Sequence, residues 1–247
     1  MSVDAHCHID LHPNPKETFE ALIADEVLVV AVTTTPAAFK GSSRFMDATS
    51  GIFPAVGFHP EVVGSRPNDL KLMNNYIQKV QWVGEIGLDG SKRFSDSYSQ
   101  QKLAFEKILS ECQLAGGRTL SIHSRNAADD VLDCLGRHPS AGVAVLHWFS
   151  GTEKQLRRAI EADCYFSVND QMLSTNKGRN VLSKIPLDRL LTESDAPFAS
   201  RKSKLSISDR IRECEKVIAE TLGKEQHAIV RSIEENFHRI NVAARRV

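Results

Sequence analysis

Short apolar runs rich in β-branched residues recur along the chain, at positions 3–6, 27–32, 52–58, 82–88, 119–123, 143–147, 165–168 and 190–192. Between them the apolar positions switch to a spacing near three and four, as at 100–114, where Leu103, Phe105, Ile108, Leu109 and Cys112 mark one helical stretch. Strand and helix therefore alternate. Several runs, notably 27–32, are continuously apolar where a one-sided sheet would alternate. That is the pattern of parallel strands covered on both faces by crossover helices. Eight such strands predict an α/β fold, a (β/α)8 TIM barrel formed as one domain over residues 1–247. Two more helical stretches, near 207–222 and 225–244, can close its outer ring.

The length of 247 residues suits a barrel of about 250. Hydrophobic residues at 41% and charged residues at 25% exclude disordered and fibrous classes. No apolar run approaches the roughly 18 residues of a membrane span. The start, MSVDAHCHID, lacks a secretory layout, so a cytoplasmic location without a membrane partner is expected. Five scattered cysteines with no C-x-x-C pair fit a reducing compartment and exclude a cysteine zinc site. Thirty-one basic residues balance thirty-one acidic ones, which argues against an extended nucleic-acid track. Any polyanion must be held locally.

The chemistry is concentrated where a barrel would gather it, at the C-terminal ends of the strands. In Asp4-Ala5-His6-Cys7-His8, strand alternation turns His6 and His8 the same way and Cys7 the other, a geometry that suits two imidazoles on one metal site. Glu85 lies inside an apolar run, where an unpaired carboxylate is costly, so a cation should accompany it. His59, His123 and His147 follow or end apolar runs, and Asp195 follows the eighth. A single strand-end histidine is ordinarily a hydrogen-bonded structural residue. Four of them on one rim with a glutamate and an aspartate supply enough N and O donors for two divalent ions, with the glutamate suited to bridge.

The segments DAHCHID, GFHP, GEIGLD, IHSR, LHWFSG, KIPLDRLLTESDAPF and ENFHRI resemble, in order and along nearly the whole chain, the TatD family of metal-dependent deoxyribonucleases in the amidohydrolase superfamily. Within that family, VTTTP, GEIGLDGS, AGGRTLSIHSR and VLHWFSG are most similar to the TatD-related component of Qat anti-phage defence clusters. The resemblance implies a barrel with two divalent metal ions, for which Mg, Mn or Zn are candidates. His6, His8 and Asp195 would hold one ion, Glu85 would bridge, and His123 and His147 would hold the other. His59 and Arg125 would face the scissile phosphate, and Asp4 would orient its neighbours. The implied activity is hydrolysis of DNA phosphodiester bonds by a 3′ exonuclease acting in anti-phage defence, with Asp195 as the base and Glu85 as the second catalytic carboxylate. Its partners would be DNA ends, single-stranded or nicked, and other Qat components.

The chain departs from the family pattern at the substrate rim. Glu61 stands where GxHPH has a second histidine, Ile108 replaces a frequent glutamine, and Gly90 with Ser91 replaces an aromatic pair. Residues 196–204 lack the usual Arg-Gly-Lys-Asn-rich segment, although Arg201, Lys202 and Lys204 remain candidate phosphate grips, as do Lys92 and Arg93 after Glu85. Either group also reads as a solvated loop. Trp148 could stack on a base or simply pack. These departures keep two other readings open: hydrolysis of a modified nucleotide, ester or amide conjugate, and a mainly structural subunit of a defence complex.

Overall fold

Eight parallel strands lie in sequence order: β1 (Val3–Cys7), β2 (Leu28–Ala31), β3 (Ile52–Val56), β4 (Trp82–Gly87), β5 (Arg118–His123), β6 (Gly142–His147), β7 (Tyr165–Val168) and β8 (Leu190–Thr192). The structure, a computed structural model, describes residues 1–43, 50–200 and 205–243. Each strand pairs with the next, for example Val3 with Leu28, Leu120 with Ala144, and Val168 with Thr192. Strand β8 returns to β1 through side-chain and loop bonds. The Thr192 hydroxyl donates to the Val3 carbonyl at 2.6 Å, and the amide of Asp195 to the His6 carbonyl at 2.9 Å. The expected TIM barrel is therefore the observed fold.

Helices α1 (Pro15–Ala24), α2 (Pro36–Ser42), α3 (Pro60–Val63), α4 (Asp69–Ile77), α5 (Tyr98–Leu114), α6 (Ala128–Arg137), α7 (Glu153–Glu161), α8 (Asp170–Leu173), α9 (Asn176–Leu182), α10 (Ile207–Leu222) and α11 (Gln226–Ala243) connect or follow the strands. Their starts are chemically marked. Proline opens α1, α2 and α3, where its missing N–H costs nothing, and Thr152 with Gln155 forms a reciprocal capping box on α7. Helix α10 ends at Gly223, whose φ of +60° suits glycine.

One apolar position of the helix expected at 100–114 lies off the core. Phe105, Ile108, Leu109 and Cys112 of α5 are buried, but Leu103 is 72% exposed. At about 100° per residue, Leu103 lies some 200° from Phe105, so it falls off the buried stripe that Gln101 and Ala104 extend. Helix α11 also does more than complete the ring. Its Phe237 meets Phe53 edge-on and stacks on Trp82 at 5.7 Å, while its Ile240 carbonyl accepts the Thr119 hydroxyl at 3.1 Å. Phe53, Trp82 and Thr119 all lie near strand starts, so α11 plugs the N-terminal mouth.

Two glycines let the strand ends close up. A Cβ on Gly57 would sit 1.8 Å from the Thr33 carbonyl and 2.4 Å from the Glu85 amide. Gly87 adopts a φ of +130° with its missing Cβ 2.1 Å from the His123 carbonyl. The glycines of GFHP and GEIG thus hold β3, β4 and β5 near enough for their polar side chains to meet.

Candidate metal centre

Glu85 is the hub of the C-terminal mouth. It is 2% exposed, and its two carboxylate oxygens face different histidines. Oε1 lies 2.8 Å from His123 Nδ1, 2.9 Å from His147 Nε2 and 3.1 Å from His59 Nε2. Oε2 lies 3.2 Å from His8 Nε2 and 3.4 Å from His6 Nε2. Asp195 Oδ1 stands 3.8 Å from Nε2 of both His6 and His8. Three overlapping sets bring their donor atoms within 4.8 Å of one another: His6, His8 and Asp195; His6, Glu85 and His147; and His59, Glu85 and His123.

This donor chemistry fits divalent cations. His6 Nε2 is 3.2 Å from His8 Nε2, and His123 Nδ1 is 3.4 Å from His147 Nε2. Two N–H groups cannot point at each other across such gaps. Lone pairs converging with carboxylate oxygens are what a borderline cation prefers. Burial holds the His6 imidazolium well below its ordinary range, helped by neighbouring His147, which leaves His6 neutral and able to coordinate. Burial opposes ionisation of Glu85, but the imidazoles of His59, His147 and His6 outweigh it and hold the carboxyl well below normal. His147 is pushed the other way: burial disfavours its cation, yet Glu85 and Glu193 raise it well above the usual value.

The backbone around the centre is specialised. Trp148, directly after β6, and Asp195, three residues past the end of β8, have φ values of +39° and +45°, a region that non-glycine residues rarely occupy. The residue before Asp195 is held at both its amide and its carbonyl. Its preceding neighbour Ser194 donates its amide to Asp4 Oδ1 at 2.9 Å, and the Ser194 carbonyl accepts from Arg210 Nη2 at 3.1 Å. Arg210, 2% exposed, is itself paired with Asp170 at 2.5 Å. Asp4 thus orients the loop carrying Asp195, and it also accepts the His6 amide at 3.2 Å. Burial pushes both Asp4 and Asp195 up to about 7.

A cavity of 680 Å³ opens over the centre, lined among others by Glu61, Arg93, Arg125, Trp148 and Phe198. All six expected metal-binding residues, His6, His8, Glu85, His123, His147 and Asp195, therefore meet at one mouth. His59 joins them more intimately than a rim residue would. Its Nδ1 accepts the Glu61 amide at 3.2 Å, capping α3, so a neutral His59 carries its proton on the Nε2 that faces Glu85. Arg125 lines the same cavity. Arg201, Lys202 and Lys204 lie outside the described residues. Sequence reasoning passed over Asp89, Glu193 and Ser121, which contact the outer sides of the histidine rings. A signal existed for the two acids: each directly follows an apolar strand, and Asp89 shares the alternation of Glu85 and Gly87.

A family profile described as TatD related DNase matches residues 3–241. The deoxyribonuclease TATDN3 of Homo sapiens is 26% identical over 214 residues, covering 79% of this chain and 77% of the human protein. The uncharacterized metal-dependent hydrolase YjjV of Escherichia coli is 29% identical over 211 residues, 79% of each chain. The crystal structure of YjjV superposes with a TM-score of 0.86 over 97% of both chains at 23% identity. No described helix is long and apolar enough to cross a membrane. With its profile matched almost end to end and a mouth full of nitrogen and oxygen donors, the chain belongs to the TatD family of metal-dependent hydrolases, the TatD-related DNases.

Proposed function

We propose that this chain is a two-metal phosphodiesterase that removes nucleotides from the 3′ ends of DNA, single-stranded or nicked, as the nuclease of an anti-phage defence cluster. The observation that carries the reading is the division of Glu85, with Oε1 turned to His123 and His147 and Oε2 to His6 and His8. One carboxylate is thereby disposed to bridge two cation positions. Bound divalent ions would acidify water and polarise a phosphoryl oxygen. His6, His8 and Asp195 would hold one ion, His123 and His147 the other, and Glu85 both.

The protein's own groups supply the remaining steps. Asp195 accepts the proton of the attacking water, a task suited to a carboxylate that lines the cavity beside the donors. Arg125 donates its guanidinium to the non-bridging oxygens, where negative charge accumulates, and His59 faces the same phosphate from the cavity wall, its Nε2–H free to turn from Glu85 once cations occupy that carboxylate. Zero formal charge suits a cavity that takes a strand terminus over a surface that wraps duplex. The role in defence rests on VTTTP, GEIGLDGS, AGGRTLSIHSR and VLHWFSG, and other Qat components are its expected partners.

A second reading keeps the ions and changes the substrate. Glu61 lines the same cavity, where its carboxylate would favour a substrate offering an amine or amide donor, such as a modified nucleotide. The test is hydrolysis of 3′- and 5′-labelled DNA, RNA, modified mononucleotides and small esters by metal-loaded protein. Shortening from the 3′ end of DNA supports the first reading; turnover confined to mononucleotides or esters replaces it with the second. Plaque counts in cells carrying the complete defence cluster with Glu85→Gln test the biological role.

A further inference from the structure

The peptide plane between Ser194 and Asp195 is gripped at both of its polar ends. Its N–H, that of Asp195, donates to the His6 carbonyl of β1 at 2.9 Å, and its C=O, that of Ser194, accepts from Arg210 Nη2 at 3.1 Å. In a trans peptide these two groups point in opposite directions. Strand β1 therefore holds the plane from one side and the Arg210 guanidinium holds it from the other. On either flank the chain is tied to the first strand again. The Ser194 amide donates to Asp4 Oδ1 at 2.9 Å, and the Ala196 carbonyl accepts the His8 amide at 2.9 Å.

Arg210 comes from a distant part of the chain. It stands in the first turn of α10, buried, and its orientation is set by Asp170 at the start of α8. Nε and Nη2 donate to the two oxygens of that carboxylate at 3.1 and 2.5 Å, a bidentate fork, and the same Nη2 also reaches the Ser194 carbonyl. A charged donor makes that bond stronger than one between neutral groups. It acts beside Asp195, whose φ of +45° persists in a residue other than glycine only where the surroundings over-determine it. Rotation in φ carries Cβ, so the same angle decides whether Asp195 Oδ1 stands 3.8 Å from Nε2 of both His6 and His8.

We infer that Arg210 is a positioning residue for the cation of His6, His8 and Asp195: through the Ser194 carbonyl it keeps the peptide plane turned so that the Asp195 carboxylate faces the two imidazoles. Asp170 acts one step further out, by aiming the guanidinium. A buried charge on an outer helix thereby gains a place in the chemistry of the mouth. Its effect is confined to one ion, because the Asp195 turn is what it holds, whereas His123 and His147 are carried by β5 and β6.

Asp195 as a ligand belongs to the proposed paired-ion reading, on which this inference rests, and a double-mutant cycle separates the two. The full chain, stripped with chelator, is titrated calorimetrically with Zn²⁺ as wild type, Arg210→Met, Asp195→Ala and the double variant, with circular dichroism reporting the fold of each. Arg210→Met is expected to weaken by about 10- to 100-fold the same binding step that Asp195→Ala weakens, and to leave the other step unchanged. In the Asp195→Ala background it should change affinity by less than about twofold, because the carboxylate it positions is gone. Wild-type affinity in Arg210→Met overturns the inference. So does an equal loss in both backgrounds, which is what a purely structural ion pair would give. If Arg210→Met does not fold, Arg210→Gln is put through the same cycle under the same criteria. Wild-type affinity in Asp195→Ala would instead refute Asp195 as a ligand, and with it the reading beneath.

Discussion

The two ends of β4 are equally buried and chemically opposite. At its start Trp82 stacks on Phe237 and donates its indole N–H to Asn241 Oδ1 at 3.1 Å, every polar atom answered and every face packed. Three residues on, Glu85 sits among five imidazoles, and two of them, His8 and His147, leave a buried Nδ1 without a hydrogen-bond partner among the described residues. The first end is complete as folded. The second is a set of donors arranged for something other than one another, and its burial raises the cost of leaving them so. Barrels divide labour in this way, with stability at the strand starts and chemistry at the strand ends.

Crossing the two ends by mutation should separate them most sharply. Glu85→Gln is expected to lower metal-dependent turnover by about 10³-fold or more while leaving the unfolding midpoint near that of the wild type. Turnover within tenfold of wild type would discard the bridging role. Phe237→Ala should do the reverse, costing about 3–5 kcal/mol in denaturant unfolding with unchanged kcat per folded molecule. A loss of kcat with full stability would show that the plug communicates with the mouth.

A third test uses pH on chelator-treated protein. Burial raises Asp195 to about 7 from 3.8, so the folded chain binds a proton that the unfolded chain has already released between those values. Stability of the ion-free protein therefore falls as pH rises from about 4 to about 7 on this account. Asp195→Asn, which has no charge to bury, should melt above wild type at pH 7.5, with the difference vanishing at pH 4. Equal melting curves at both pH values would contradict the burial of an ionisable Asp195.

The smallest effect belongs to the outer surface. Although partial burial opposes it, Arg137 and His138 hold Glu106 down to about 2. Its contribution is fully present above its ordinary value of 4.5 and is lost as pH falls towards 2. Glu106→Gln should cost less than about 1 kcal/mol at pH 6 and nothing at pH 2, as read by urea unfolding. A larger cost would place this ion pair in the barrel's stability core.

Much of the site was legible because strand alternation is strictly local. The parity of His6 and His8, and the anomaly of Glu85 in an apolar run, need no knowledge of neighbours. Leu103 shows the limit of that locality: its stretch is helical, but a leucine off the buried stripe looks the same in the chain as one on it. Asp89 and Glu193 escaped because their partners, His123 and His147, lie 34 and 46 positions away, reckoned from the residue numbers themselves.

By itself, then, the order of residues determined the number of strands, their parallel sense, the family and the six side chains that would gather at one mouth. Only the closed barrel decided which carboxylate oxygen faces which ring, that His59 turns an N–H inward, and that α11 stops the opposite mouth. The reason is that hydrophobic period acts between near neighbours, whereas orientation within the site depends on β1, β3, β4, β5, β6 and the turn after β8 meeting across the barrel. Distances of a few tenths of an ångström there separate a hydrogen bond from a coordinating lone pair, and packing alone sets them.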